Sequence, residues 1–324
     1  QDASSYAFNR LSQKTSPQWI LEGDIKGCFD NIAHDWLMEN IPMDRSALAQ
    51  FLKAGYIFEE NLFPTDRGTP QGGIISPILA NMTLDGIERL LMEKFPKMKV
   101  YFIRYADDFL VTAPTKEIAE EARDIIQEFI AGRGLELSME KTVITHIDEG
   151  FDFLGYNFRK YRGKLLIKPS KKSIESIMSK IKETMKKARA WTQDALIKAL
   201  NPIIRGWANY HRHIVAKETF GKLDSYIWTE TWRWGKYRHP NKGHKWIAKR
   251  YWKSEGSRKW VFRTEENKLW RFSDTKIRRH VFPKLKANPY LDRKYFMERR
   301  ERQKKTTPTN QNQINLFALP PIIG

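Results

Sequence analysis

At 324 residues with a net charge of +19, the chain has room for two or three domains, each with its own core. No run of about 18 apolar residues occurs, so no transmembrane helix is expected. Gln1-Asp2-Ala3-Ser4-Ser5 lacks the basic and apolar regions of a signal peptide. A lone cysteine, Cys28, excludes an intrachain disulfide and any multi-cysteine zinc site, and it suits a reducing compartment.

Residues 161–324 carry 40 Lys and Arg against 13 Asp and Glu, a balance of +27. Residues 1–160 carry 17 against 25, a balance of −8. Nine of the eleven tryptophans lie in the basic half. Basic segments interleaved with aromatic rings are the footprint of nucleic-acid binding through phosphates and stacking. A basic membrane-surface protein fits less well, because the aromatics are scattered instead of lining one helix face.

In chain order, Ala3, Tyr6, Ala7 and Leu11 read as the end of a helix, and with no initiator methionine the chain is expected to start part-way through a longer protein. Gln18–Ile25 reads as a strand ending near an acid, and helical pattern resumes at His34–Leu37 and Ala47–Ala54. Gly55–Asp66 reads as strand and turn. The run Gly68-Thr69-Pro70-Gln71-Gly72-Gly73 fits no regular element; its glycines allow close approach to a ligand. A helical stripe follows over Ile78–Leu91, then two short strands around Tyr105-Ala106-Asp107-Asp108, then an amphipathic helix over Ile118–Arg133. Gly134–Leu137 and Thr142–Thr145 read as strands flanking Lys141, and Phe151–Phe158 as one alternating strand before a turn at Arg162-Gly163. This mixture implies an α+β fold with an antiparallel sheet backed by helices.

Beyond it the pattern is helical. Ile174, Ile177, Met178, Ile181 and Met185 recur at helical spacing, and the two methionines belong to core. Asp194–Leu200 is a second helix, and Asn201-Pro202 is expected to cap and open a third that runs to His213. Phe220–Arg233 is a fourth, and Pro240 marks its end. Residues 242–300 form a Trp/Lys/Arg-rich stretch with strand-like pieces such as Lys259–Phe262, and residues 306–324 read as a disordered or loosely docked tail.

Asp107 and Asp108 fall at a hairpin turn, where adjacent carboxylates repel each other. A divalent metal is the usual remedy, although the tetrapeptide alone also fits a solvated turn. Asp24 closes the first strand, and Phe29 follows five residues later. On adjacent strands Asp24 and Asp107 would supply the carboxylates of two-metal phosphoryl transfer. An aromatic beside them can block a ribose 2′-hydroxyl and so select deoxynucleotides. Alone, Asp24 is as readily a surface acid at a strand end.

The ordered set Asp24/Phe29, Thr69-Pro70-Gln71-Gly72-Gly73, Tyr105-Ala106-Asp107-Asp108, Lys141 and Phe153-Leu154-Gly155-Tyr156 resembles the palm of reverse transcriptases. Asp24-Ile25-Lys26-Gly27-Cys28-Phe29-Asp30 looks like the group II intron type. Leu200–Tyr210 and Trp232-Arg233-Trp234 with Arg238–Lys242 are similar to the maturase-specific domain, the thumb of that family.

The resemblance implies a palm over 1–158, a maturase-type helical thumb over 159–240, a small basic Trp-rich DNA-binding region over 241–305 and a tail over 306–324. Asp24, Asp107 and Asp108 would bind Mg²⁺, or Mn²⁺ in its place. Phe29, Ile25, Gln71 and Gly72 would line the nucleotide site, with Phe29 as steric gate. Lys141 would serve the pyrophosphate leaving group, or simply end a turn. Phe153, Leu154, Gly155 and Tyr156 would grip the primer, or form an ordinary strand. Arg205 and Arg212 would meet RNA; Trp207 reads as packing. The implied function is RNA-directed DNA synthesis together with binding of intron RNA. The implied partners are intron and template RNA, a DNA primer or target, deoxynucleoside triphosphates and no membrane, in a bacterial cytoplasm or an organelle. The family's fingers do not precede Gln18, which suggests a fragment, a second chain supplying them (a homodimer included), or a product that does not polymerise alone. With no Cys or His in 288–324, no appended Cys/His nuclease is expected. The alternatives are a maturase that only binds RNA and a defence- or diversification-associated reverse transcriptase.

Overall fold

The structure is a computed structural model that describes residues 2–58, 61–63, 67–69, 73–278, 280 and 292–305. Helix α1 (Asp2–Leu11) leads into β1 (Trp19–Gly23), followed by α2 (Cys28–Asn31), α3 (His34–Asn40) and α4 (Arg45–Lys53). A small hairpin, β2 (Tyr56–Phe58) and β3 (Asn61–Phe63), precedes α5 (Ser76–Thr83) and α6 (Ile87–Lys94). The hairpin β4 (Tyr101–Tyr105) and β5 (Asp108–Ala113) is followed by α7 (Lys116–Ala131) and β6 (Val143–His146). Then come β7 (Phe151–Phe153), β8 (Tyr156–Tyr161) and β9 (Lys164–Pro169). The helical part comprises α8 (Lys171–Lys187), α9 (Gln193–His211), α10 (Lys217–Arg238) and α11 (His244–Tyr251), closed by the hairpin β10 (Trp252–Glu255) and β11 (Arg258–Phe262). Residues to His280 form one compact unit; α12 (Arg293–Lys305) belongs to a second unit, Val281–Gly324. No described helix is long and apolar enough to cross a membrane.

The fold is α+β, as expected. Its main sheet has the order β4-β5-β1-β6 with every pairing antiparallel. Strand alternation gives the sheet two apolar faces. Leu21, Phe109 and Val111 pack with Ala122, Ile126 and Ile130 of α7, whereas Ile20 and Leu110 join Ala7 and Leu11 of α1 on the other side. That second core continues without a break through Phe151 and Phe158 into Ile181 of α8, Ile204 of α9, Ile227 of α10 and Phe262 of β11. Gly23 faces Phe109 in register, and a β-carbon on it would lie 2.0 Å from the ring. Only glycine fits there.

Four expectations are corrected. Asn201-Pro202 does not open a helix: Pro202 sits inside the continuous α9. The Asn201 side chain is occupied elsewhere, its amide donating to the Lys268 carbonyl (2.9 Å) and its oxygen accepting from the Trp270 N–H (2.7 Å). Burial of Leu196, Leu200, Ile204 and Ala208 outweighs the proline penalty. Phe151–Phe158 is not one strand; left-handed Leu154 (φ 50°) and Gly155 (φ 76°) fold it into the β7–β8 hairpin. Gly134–Leu137 makes only the single bridge Leu137 to Ile25. The Ile78–Leu91 stripe divides into α5 and α6 at Gly86 (φ 98°). Residues 306–324 lie outside the described residues.

His213, just past α9, packs edge-on against Tyr156 (5.3 Å) and faces His280 (6.0 Å). Burial pushes its pKa down from 6.5 to about 4. The folded protein therefore holds it neutral while the unfolded chain protonates first. The stability it contributes is complete above about pH 6.5 and is lost as pH falls towards 4. His213→Gln should flatten the decline in urea midpoint between pH 7 and pH 5; an unchanged decline would assign the acid limb to other groups. Gly23→Ala should destabilise by about 1–3 kcal/mol through overpacking against Phe109. Gly221→Ala, helical and open to space, should stabilise by about 0.5–1 kcal/mol. Urea denaturation reads both.

Candidate active site

The register Gly23 to Phe109, extended by one residue, sets Asp24 opposite Asp108 at the open end of the sheet. Ala106 (φ 56°) and Asp107 form the two-residue turn between β4 and β5, so Asp108 is the first residue of β5 and not part of the turn. The left-handed position of Ala106 is one that glycine usually takes. Arg104 supports it, donating to the Ala106 carbonyl (3.0 Å) and to Asn81 Oδ1 (2.8 Å). Past β1 the chain is tied to 136–138, with Lys26 N–H donating to the Glu136 carbonyl and Ser138 N–H to the Asp24 carbonyl. The turn Ser138–Thr142 then brings Lys141 Nζ to 3.2 Å from Asp24 Oδ2.

Asp24, Ile25, Cys28, Phe29, Asp107 and Lys141 line one cleft of about 260 Å³. Phe29 is half-buried at its wall, while the Ile25 side chain is buried in the core beneath. Burial, and then the charge of Asp107, pushes the Cys28 thiol up to about 11, so it stays protonated. Asp108 is raised by burial first, then by Asp107 and Asp24, with Lys141 partly offsetting them. The cluster is short of positive charge.

No three His, Cys, Asp or Glu side chains among the described residues converge enough to cage an ion alone. Mg²⁺ in phosphoryl-transfer sites takes one or two carboxylates and completes its shell with substrate phosphates and water. Asp24 and Asp107 on an open cleft, with Asp108 carrying unrelieved repulsion, fit that requirement.

Gln71 and Gly72 lie outside the described residues. Thr69 N–H donates to the Phe29 carbonyl (2.6 Å) and Gly68 N–H to the Ile32 carbonyl (2.8 Å). A β-carbon on Gly68 would lie 2.4 Å from the Phe29 carbonyl oxygen. Gly68 and Thr69 are thus docked beside Phe29.

Phe153, Leu154, Gly155 and Tyr156 form a turn held by α9. The Tyr210 hydroxyl donates to the Leu154 carbonyl (2.7 Å), and the Tyr156 hydroxyl donates to the Tyr210 carbonyl (3.3 Å). The two rings stack at 5.0 Å. His211 Nδ1–H donates to the Trp207 carbonyl (3.0 Å), leaving Nε2 to accept from the Ser173 hydroxyl (3.4 Å) beside the Gly155 carbonyl. Burial lowers the His211 pKa, in keeping with a neutral ring. Leu154, Gly155, Asp152, Lys172 and Trp207 line a second cleft of about 440 Å³.

Several functional neighbours escape sequence reasoning. Glu22, two residues before Asp24, is raised to about 7 by burial and then by Asp152, with Lys172 opposing. An acid within the apolar run Trp19-Ile20-Leu21 was its only signal. Tyr210 and His211 gave none, because their role exists only through a contact more than fifty residues away in sequence. Arg205 lies outside this cluster, its guanidinium 4.6 Å from the centre of the Trp270 ring. Arg212 is half-buried, and burial and then Arg278 lower its pKa.

Residues 2–158 match the family model for reverse transcriptase (RNA-dependent DNA polymerase), and 174–252 match that for the group II intron maturase-specific domain. Divalent metal ions are the general cofactor of the first family. The Group II intron-encoded protein LtrA of Lactococcus lactis subsp. cremoris is 29% identical over 272 residues, which cover 62% of this chain and 45% of that protein. Protein YkfC of Escherichia coli (strain K12) is 29% identical over 192 residues, 47% of this chain and 49% of that one. The chain therefore spans about half the length of the curated relatives it matches. A telomerase from Candida albicans superposes with a TM-score of 0.37 at 14% identity, over 76% of this chain and 48% of that one, a likeness that assigns nothing. With both family models in sequence order on one continuous core, the chain belongs to the group II intron reverse transcriptase/maturase family.

Proposed function

We propose that the chain is the catalytic and RNA-binding part of a group II intron RNA-directed DNA polymerase working with Mg²⁺, for which Mn²⁺ can substitute. The observation that carries the reading is the meeting of Asp24, Asp107 and Phe29 in one cleft, with Lys141 at its rim. Asp24 and Asp107 hold the metal ions, and Asp108 adds charge to the cluster. Bound there, the ions would activate the primer hydroxyl and neutralise charge on the transferring phosphate. Lys141, 70% exposed, is free to exchange Asp24 for the pyrophosphate. Phe29 faces the sugar with Ile25 packed beneath the nucleotide site, and Gln71 and Gly72 approach the base pair. The turn Phe153–Tyr156 holds the primer end.

In this reading 1–158 is palm, 159–240 thumb, 241–305 DNA-binding region and 306–324 tail. Arg205, Arg212 and the +27 charge of residues 161–324 face intron RNA, template and target DNA. Deoxynucleoside triphosphates are the substrates, fingers come from the rest of the protein or a second copy, and the setting is a bacterial cytoplasmic ribonucleoprotein.

Primer extension on an RNA template, by the complete protein that carries this chain, is the test. Asp107→Ala should lower extension by ~10³-fold or more while leaving RNA affinity near normal. Retained extension would remove Asp107 from the site. No extension by the wild type in either metal, with RNA binding intact, would favour the maturase that only binds RNA. Phe29→Ala should raise ribonucleotide over deoxynucleotide incorporation by about tenfold, a change of ~1.4 kcal/mol; an unmoved ratio would place the gate elsewhere.

A further inference from the structure

Helix α10 places Trp228 and Trp232 one turn apart, and their indoles stack at 5.6 Å with planes 8° apart. The β10–β11 hairpin brings two more rings to the same place. Trp252 lies 5.2 Å and Trp260 6.5 Å from Trp232. Exposure is graded across the group. Trp252 is 5% exposed at its base, whereas Trp228 and Trp260 are 43% and 53% exposed at its edges. Packing explains the base. It does not explain two indoles left half in water.

Three further observations mark the cluster as more than core. Trp260 has φ 67° within a strand, beside a register shift between Lys253 and Glu255. A bulky side chain is rarely found there, and such strain gathers at functional positions. The buried Trp252 Nε1 has no hydrogen-bond acceptor among the described residues, a lack that calls for an explanation. The surroundings are positive, with 13 Lys and Arg against 4 Asp and Glu over residues 241–280. Glu230 pairs with Arg233, Glu255 with Lys268, Asp274 with Arg258 and Asp224 with Arg271, whereas Glu265 and Glu266 form no ion pair among the described residues. Lys236, Lys253 and Lys259 have no carboxylate partner among the described residues.

We propose that Trp228, Trp232 and Trp260 form a stacking platform for unpaired bases of an RNA loop, whose phosphates are met by Lys236, Lys253 and Lys259. Exposed ring faces with neighbouring cations that lack a carboxylate partner complement a strand that offers both base faces and phosphates. A duplex hides its base faces inside the stack, whereas RNA loops splay theirs outward. The platform shares no residue with the Asp24–Asp107 cleft or the Leu154–Gly155 cleft. It rests on the RNA-binding part of the reading above.

The test titrates the full chain with a labelled RNA hairpin carrying an unpaired loop and with a blunt RNA duplex of equal length, at several salt concentrations. The wild type should prefer the loop by roughly 5- to 100-fold, the range one stacked base supplies. Trp260→Gly is the decisive variant, because glycine adopts that backbone without strain and so removes the ring without threatening the fold. It should melt no lower than wild type and lose most of the loop preference. Duplex affinity and its salt slope should stay unchanged. Trp260→Tyr should keep the preference, and Trp228→Ala should reduce it. A loop-to-duplex ratio unmoved in both Trp260→Gly and Trp228→Ala would overturn the platform. A DNA hairpin of the same sequence that binds equally, with the same dependence on Trp260, would overturn the assignment to RNA. Absence of salt-steep binding to any of these nucleic acids would instead fail the RNA-binding reading itself.

Discussion

The pairing of β1 with β5, buried on both faces, is the constraint on which the rest of the structure depends. Ile20 and Leu21 point into different cores, as do Leu110 and its neighbours Phe109 and Val111. A slip of one residue would exchange those faces and drive Glu22 into the α7 side, so hydrophobic burial fixes the register. That register leaves no room for a side chain at Gly23 and sets Asp24 opposite Asp108. The carboxylates come together despite their repulsion because apolar burial along two strands outweighs it. The residual strain shows in Asp108, whose pKa stays raised.

The second consequence of two-sided burial is that sheet and thumb are not independent. The core on the Ile20 side runs on through β7 and β8 into α8, α9 and α10. The turn at Leu154-Gly155 therefore belongs to both parts: its strands pair with each other, while from α9 Tyr210 donates to the Leu154 carbonyl and His211 packs edge-on against Tyr156. The helix that bears the maturase signature thus holds this turn in place.

Charge follows the same division with a different cause. The acidic half builds the carboxylate cluster, whose lining cations Lys26 and Lys141 come from that same half, while the net positive charge lies in residues 161–324. Within that basic half the rings of Trp228, Trp252 and Trp260 gather around Trp232.

The sequence by itself determined the elements whose signals are local. The α+β order, α7, α8 and α10 follow from apolar periodicity, and Asp24, Phe29 and Asp107 could be picked out because their motifs are short and ordered along the chain. Tertiary structure alone decided what depends on distant partners. Pro202 continues a helix because burial of Leu196, Leu200, Ile204 and Ala208 holds α9 together across it, and Asn201 serves Lys268 and Trp270 instead of a cap. Leu154-Gly155 turns where Tyr210 holds the Leu154 carbonyl, and apolar alternation through Phe151–Phe158 conceals that break. Glu22 acquires its raised pKa from burial beside Asp152, well over a hundred residues away in sequence. Periodicity reports which face of an element is apolar; it carries no information about which remote group that face, or the polar one, will meet.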